Sequence, residues 1–152
     1  MVELSKKRKG KIGELIITKK LLDMGFDVYD NIVDDKGIDI IVRNEIHGKI
    51  KHNDIQVKHS KHYEQQDLYW FGLSASTFRP YSNLYIAFVL DENRIFVIPS
   101  IVLQKFRKQI PVDKQGNYKI TIKQRENWGL VLKRKKPLNI DKYLNNFKQL
   151  EA

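Results

Sequence analysis

Four residues of this chain carry chemistry at suggestive spacing. Glu14 lies in the helical pattern "GELIITKKLLDMG", Asp39 in "GIDIIV", and Gln56 and Lys58 stand two apart in "DIQVKHS". Successive side chains of a strand point to opposite faces, so Gln56 and Lys58 share one face while Ile55 and Val57 hold the other. The same parity puts Ile38, Ile40 and Val42 on one side of their strand and Asp39 and Ile41 on the other. If the two strands are neighbours, Asp39, Gln56 and Lys58 can converge on one face, with Glu14 reaching them from a helix packed over it. Two carboxylates, an amide oxygen and a lysine form an oxygen-rich site beside a cation. That is the donor chemistry of a hydrolytic Mg²⁺ site on a phosphodiester: Mg²⁺ prefers oxygen ligands, keeps several waters and is completed by substrate phosphate. A lysine next to it can orient or deprotonate the attacking water, or stabilise charge in the transition state.

Each residue also has a plainer reading. Glu14 can pair with a lysine of its own helix near the helix start. Asp39 can be a strand-end residue bonded to the turn at Gly37. Gln56 and Lys58 can be the polar half of a solvent-facing strand. The conjunction of the four, not any one of them, favours a site.

The elements that must position them follow from the hydrophobic pattern. Ser5 can cap a helix running to about Met24, stopped by Gly25. At 100° per residue its apolar face takes Leu15, Ile17, Thr18, Leu21, Leu22 and Met24, with Ile12 and Ile16 on the far side. "FDVYDNI", "IDIIV" and "HNDIQVKH" read as three successive strands and "LYWFGLS" as an extended piece. "ASTFRPY" reads as a short helix interrupted by Pro80, then "NLYIAFVL" and "RIFVIP" as core strands around a "DEN" turn. "SIVLQKFRKQI" reads as a helix capped by Ser100, "GNYKITI" and "WGLVLK" as a hairpin or two edge strands, and "NIDKYLNNFKQL" as a C-terminal amphipathic helix with Ile140, Tyr143, Leu144 and Phe147 on one side. Helix, three strands and then mixed elements make an α/β or α+β fold with a mixed sheet. The reading is one domain over residues 1–152, with a core of about 5–110 and a C-terminal hairpin and helix over about 111–152.

Length and composition support a single domain with a real core: 152 residues, 41% of them hydrophobic. There is no cysteine, which excludes disulfides, thiol catalysis and a cysteine-based zinc site. The histidines at 47, 52, 59 and 62 lack zinc-site spacing. No phosphate-binding glycine loop occurs, so nucleotide hydrolysis has no support. No apolar window has membrane-span length and no signal-peptide pattern opens the chain, so the expectation is a cytoplasmic protein without membrane contact. The net charge of +10 is uneven. Residues 1–20 have seven bases and two acids, residues 21–102 eight and twelve, and residues 103–136 eleven and two. A polyanion lying across basic flanks over a carboxylate-bearing centre suits that distribution, as does a merely solvated basic surface.

Taken in order, Gly13-Glu14 on a first helix, Gly37-Ile38-Asp39 on a strand and Gln56-Val57-Lys58 on the next resemble the E…GxD…QxK form of the PD-(D/E)xK nuclease superfamily. The flavour is that of archaeal Holliday-junction resolvases and Mrr-like restriction endonucleases, and the resemblance covers roughly residues 10–60. It implies a restriction-endonuclease-like αβββαβ core, a central mixed sheet flanked by helices, that cuts DNA with Mg²⁺ or Mn²⁺. Carried over, Asp39 is the central metal ligand, Gln56 stands where many members have a glutamate ligand, the carbonyl of Val57 is a further ligand, Lys58 is the catalytic lysine and Glu14 the helix-borne acid. Gln56 departs from the commoner glutamate, and a neutral oxygen holds the ion less strongly. His59, Lys61 and His62 are expected on the substrate side, and "KKRKGK" (Lys7, Arg8, Lys9, Lys11) and "KRKK" (Lys133, Arg134, Lys135, Lys136) as phosphate contacts. Tyr69, Trp70, Phe71 and Phe78 can stack on unpaired bases, but closely spaced aromatics beside apolar strands are more often core. The leading expectation is a metal-dependent DNA endonuclease working as a homodimer. The alternatives are a non-cleaving nucleic-acid-binding module on the same fold, and a basic RNA-binding scaffold.

Overall fold

A computed structural model of the chain describes residues 4–32, 36–63 and 67–151, with the side chains of residues 61–63 also outside the description. Two five-stranded sheets stack face to face, and the first helix covers the far side of one of them.

Helix α1 spans Lys6–Asp23. The Ser5 hydroxyl accepts the N–H of Arg8 at 3.3 Å, and Gly25, at φ +87°, closes the C-terminal end where an L side chain would be strained. The strands are β1 (Asp27–Asp30), β2 (Ile40–Ile46), β3 (Lys49–His59), β4 (Lys61–Tyr63), β5 (Leu68–Ser74), β6 (Leu84–Asp91) and β7 (Arg94–Pro99). After them come the short helix α2 (Ser100–Lys105) and strands β8 (Asn117–Gln124), β9 (Trp128–Leu130) and β10 (Leu138–Asn139).

The first sheet has the order β1-β2-β3-β6-β7. Its pairs are antiparallel except β3 with β6, so it is mixed, as the sequence led us to expect. The chain makes the crossover from β3 to the parallel β6 through β4 and β5, which belong to the second sheet, of order β10-β9-β8-β5-β4. A second sheet therefore lies where helical cover was expected. The alternation in "LYWFGLS" and "NYKITIKQ" explains it, because each strand has one apolar face to bury.

The central strands read as continuous apolar runs because they are covered on both sides. Leu84 to Leu90 and Ile95 to Ile98 are all buried. One face of the first sheet, with Leu84, Ile86, Phe88, Phe96 and Ile98, packs on Tyr69, Phe71, Tyr118, Ile120, Ile122 and Trp128 of the second. Edge-on ring pairs cross between the sheets, Phe71 with Phe88 at 4.9 Å and Phe96 with Trp128 at 5.3 Å between centroids. Burying each such ring stabilises the fold by roughly 1.5–3 kcal/mol. The other face, with Ile40, Val42, Ile55, Tyr85, Ala87 and Val89, takes α1 through Ile17 and Leu21.

Four local expectations are corrected. The buried line of α1 is Gly13, Ile17 and Leu21, a stripe with one residue per turn, while Leu15, Leu22 and Met24 are exposed. The cause is close approach: a Cβ on Gly13 would already touch Val57 at 3.4 Å, so the helix meets the sheet along a narrow line. "ASTFRPY" is a turn rather than a helix, as Pro80 and its neighbours favour extended backbone. Ser100 opens α2 from inside and caps nothing; its hydroxyl instead donates to the carbonyl of Tyr81 at 2.8 Å and accepts that residue's N–H at 3.1 Å. "NIDKYLNNFKQL" forms two 3₁₀ turns, Asp141–Tyr143 and Phe147–Glu151, not one helix. Ile140, Tyr143 and Phe147 are buried as expected, but Asn145 at φ +51° breaks the run, and its side chain bonds to the backbone of Asn93 and Ile95.

Candidate active site

Asp39 and Val57 meet where two strands part company, while Gln56 and Lys58 stand on the face of β3 turned toward the second sheet and Glu14 rides on α1, which packs on the opposite face. β2 and β3 pair from Ile46↔Lys49 to Ile40↔Ile55, and one further bond, Asp39 N–H to the Ile55 carbonyl at 2.9 Å, ends the ladder. Beyond it β3 runs on, paired only with β6 from Gln56↔Ile86 to His59↔Val89. The edge vacated by β2 leaves the N–H of Val57 without a backbone acceptor, and the Asp39 carboxylate accepts it at 2.7 Å. N–H and C=O of one strand residue point to the same edge, so the Val57 carbonyl opens toward the same side as Asp39.

Gln56 and Lys58 occupy the face of β3 opposite Val57, as their spacing predicts. Gln56 packs on Gly37, where a Cβ would lie 3.0 Å from its amide nitrogen. Gly37 also has φ +74°, a backbone conformation that strains an L side chain, and any Cβ there would push on the Gln56 amide. A cavity of about 340 Å³ opens beside Gln56, lined also by Lys36, Thr77, Arg79 and Tyr81. Tyr81 donates to the Asp54 carboxylate at 2.5 Å; its burial and that bond hold the phenol well above its ordinary pKa. Lys58 lines a second groove of about 360 Å³ with Lys6 and Lys9 from the first turn of α1, and with His59, Trp70, Gly72 and Asn117.

Glu14 follows Gly13, the contact point of α1 on Val57, and is partly buried, its side chain 26% exposed. Its carboxylate pairs with Lys11 at 3.5 Å, the local pairing that the sequence also allowed. His59 has the parity of Val57 and packs near Gly13, with Nδ1 3.1 Å from the carbonyl of Ser60; it reaches the groove from the helix side. Lys7 and Arg8 are exposed on the first turns of α1. Lys133, Arg134, Lys135 and Lys136 are exposed in the turn between β9 and β10. The side chains of Lys61 and His62 lie outside the described residues. Tyr69, Phe71 and Phe78 are core, while Trp70 is half-buried on the outer face of the second sheet. The cavity lining of Lys36, Arg79 and Tyr81 was missed in the sequence, since nothing in "ASTFRPYSN" marks its turn as facing Gln56.

The donor types are those that a hard cation takes. Around the strand divergence stand the Asp39 carboxylate, the Val57 carbonyl and the Gln56 amide, all oxygen ligands, one of them charged. Among the described residues no three of His, Cys, Asp and Glu gather into a group able to hold a metal.

The whole chain is similar in structure to a bacterial homing endonuclease, I-Ssp6803I, with a TM-score of 0.67 over 98% of this chain and 93% of that one. The two share a fold. Their sequences are 18% identical. No protein-family model and no curated protein matches the chain. Among the described residues no helix is long and apolar enough to cross a membrane.

Proposed function

We propose that the protein is a DNA endonuclease of the PD-(D/E)xK kind that hydrolyses phosphodiester bonds with Mg²⁺ or Mn²⁺. The observation that carries the reading is the Asp39–Val57 bond at the strand divergence, with Gln56 and Lys58 side by side on β3. Asp39, the Val57 carbonyl and Gln56 hold the cation, and Glu14 adds charge from α1. When bound, such an ion polarises the scissile phosphate and lowers the pKa of a coordinated water. Lys58 orients the attacking water and stabilises the negative charge on the phosphoryl oxygens. The water oxygen forms the new bond to phosphorus, the bond to the leaving sugar oxygen breaks, and that oxygen takes up a proton. Lys6 and Lys9 hold the neighbouring phosphates along the groove beside Lys58.

The likeness to a homing endonuclease supports DNA as the partner, and a cytoplasmic location belongs to the same proposal. Cutting both strands calls for two sites, and the exposed Ile12, Leu15 and Leu22 on α1 supply an apolar surface for a homodimer. A second reading, a module that binds DNA without cutting it, is favoured by the lack of a three-acid cluster among the described residues and by the neutral Gln56. Incubation of supercoiled plasmid, single-stranded DNA and four-way junctions with Mg²⁺ or Mn²⁺, for the wild type and for Asp39→Ala and Lys58→Ala, separates the two. Metal-dependent cutting lost in both variants supports the nuclease; binding with no cutting of any substrate supports the module.

A further inference from the structure

The outer face of the second sheet is built differently from its inner one. Alternation sends Tyr69, Phe71 and Leu73 of β5 and Tyr118, Ile120 and Ile122 of β8 into the core. The intervening residues turn outward and pair across the strands: Leu68 with Lys123, Trp70 with Thr121 and Gly72 with Lys119. A shallow groove of about 400 Å³ runs over this face, lined by Leu68, Trp70, Gly72, Lys119 and Thr121, with Asp113 at its border. The Asp113 carboxylate accepts the N–H groups of Gln115 and Asn117, both at 2.9 Å, which offsets part of its charge. Trp70, Phe71, Gly72 and Asp113 also line the groove of Lys6, Lys9 and Lys58, so the face continues into the candidate active site.

Gly72 has no internal reason to be glycine. It is exposed in the middle of β5, a Cβ there would meet nothing within 4 Å, and its φ is not positive. A branched residue would favour the strand by up to about 1 kcal/mol. A glycine inside a strand under open space leaves room for close approach by something outside the fold. Lys119 and Lys123 of β8 face outward here, and the face runs on to Lys6, Lys9 and Lys58 with Asp113 as the acid among the lining residues, so what approaches is a polyanion.

We propose that this face is a duplex-DNA reading surface, an inference that rests on the nuclease reading above. β5 and β8 lie over the major groove, Gly72 is the point of closest approach, and Lys119, Thr121 and Lys123 reach from this face toward the base edges. The four-residue span from Lys119 to Lys123 is about 13 Å, close to four base-pair steps. Lysine suits guanine O6 and N7, and threonine suits the thymine methyl or a base-edge acceptor.

The test uses the full chain, fluorescence anisotropy with a short random-sequence duplex, and selection of bound sites from a randomised duplex pool. Gly72→Glu places a like charge against the phosphates and is expected to weaken duplex binding about tenfold or more, with unchanged thermal unfolding. Lys119→Ala/Lys123→Ala, a surface change, is expected to erase the base preference at the positions that the wild type selects. Two outcomes overturn the inference while leaving the nuclease reading intact: a wild type that binds or cuts DNA while both variants match it, or weakened binding with the same selected bases. A wild type that neither binds nor cuts DNA overturns both readings together.

Discussion

The carboxylate of Asp39 accepts the peptide N–H of Val57 at 2.7 Å, in the place where a backbone carbonyl of β2 would have stood had that strand continued. One side chain thus completes a sheet edge and marks the place where the edge opens.

Two roles of Asp39 separate by substitution. Asparagine keeps an oxygen able to accept from Val57, whereas alanine leaves that N–H unpaired. Asp39→Ala is expected to cost about 1–3 kcal/mol, the cost of an unsatisfied buried group, and Asp39→Asn less than about 1 kcal/mol. Urea unfolding of both variants checks the order; equal losses would mean that the bond contributes little.

Gly37 is expected to tolerate no side chain. Gly37→Ala sets an L residue at φ +74° and brings its Cβ to 3.0 Å from the Gln56 amide. The backbone strain amounts to about 1–2 kcal/mol, and the displaced Gln56 lowers activity beyond what the stability loss explains. Thermal melts paired with cleavage rates at a temperature where both proteins are folded would reveal this. Unchanged rates would show that Gln56 need not hold its position.

Gln56→Glu is expected to lower the Mg²⁺ concentration needed for half-maximal cleavage by about tenfold, since a carboxylate replaces a neutral oxygen beside Asp39. Gln56→Leu is expected to raise it. A Mg²⁺ titration of cleavage would contradict the assignment if all three proteins gave one curve.

Much of this was legible in the sequence because it depends on parity. The alternation in "DIQVKHS" put Gln56 and Lys58 together, and the ladder of β2 with β3 followed from two adjacent apolar runs. The second sheet was harder to see. Its hairpin at 117–130 was recognisable, but its partner β5 lies far away in the chain, joined through Leu73↔Tyr118 and Trp70↔Thr121. The apolar residues of α1 were misassigned because helical periodicity cannot show that Gly13 lets the helix rest on Val57 along a single line. The C-terminal segment had helical spacing, yet the side-chain and backbone bonds of Asn145 to β7 and the turn before it hold that segment in short turns.

Arg94 ties the sheets together through charge and ring faces. Its guanidinium lies 5.3 Å from the ring centre of Tyr69 and 5.7 Å from that of Trp128, donates to the Tyr69 hydroxyl at 2.7 Å and pairs with Asp91 at 2.6 Å. Burial works to raise the Asp91 carboxyl, but hydrogen bonds from Arg94 and the Asn93 N–H, with the charge of Arg94, outweigh it and hold the group below its ordinary pKa. A lowered carboxyl stabilises the fold above the unfolded pKa, and that contribution fades as pH falls through the folded value. Arg94→Met is expected to cost about 1–2 kcal/mol near neutrality. The part due to Asp91 is expected to persist down to the ordinary carboxylate value, about 4, and to fade as pH falls below it through the lowered folded value. Urea unfolding across that range checks it, and a pH-independent difference would assign the whole effect to the rings.

The central claim is that Asp39 and Lys58 together serve phosphodiester hydrolysis, and cleavage of supercoiled plasmid in Mg²⁺ or Mn²⁺ tests it most directly. The measurement compares wild type, Asp39→Asn and Lys58→Ala at equal folded concentration. The account predicts metal-dependent nicking by the wild type and a loss of about a hundredfold or more in each variant. Cleavage by either variant at the wild-type rate would contradict it.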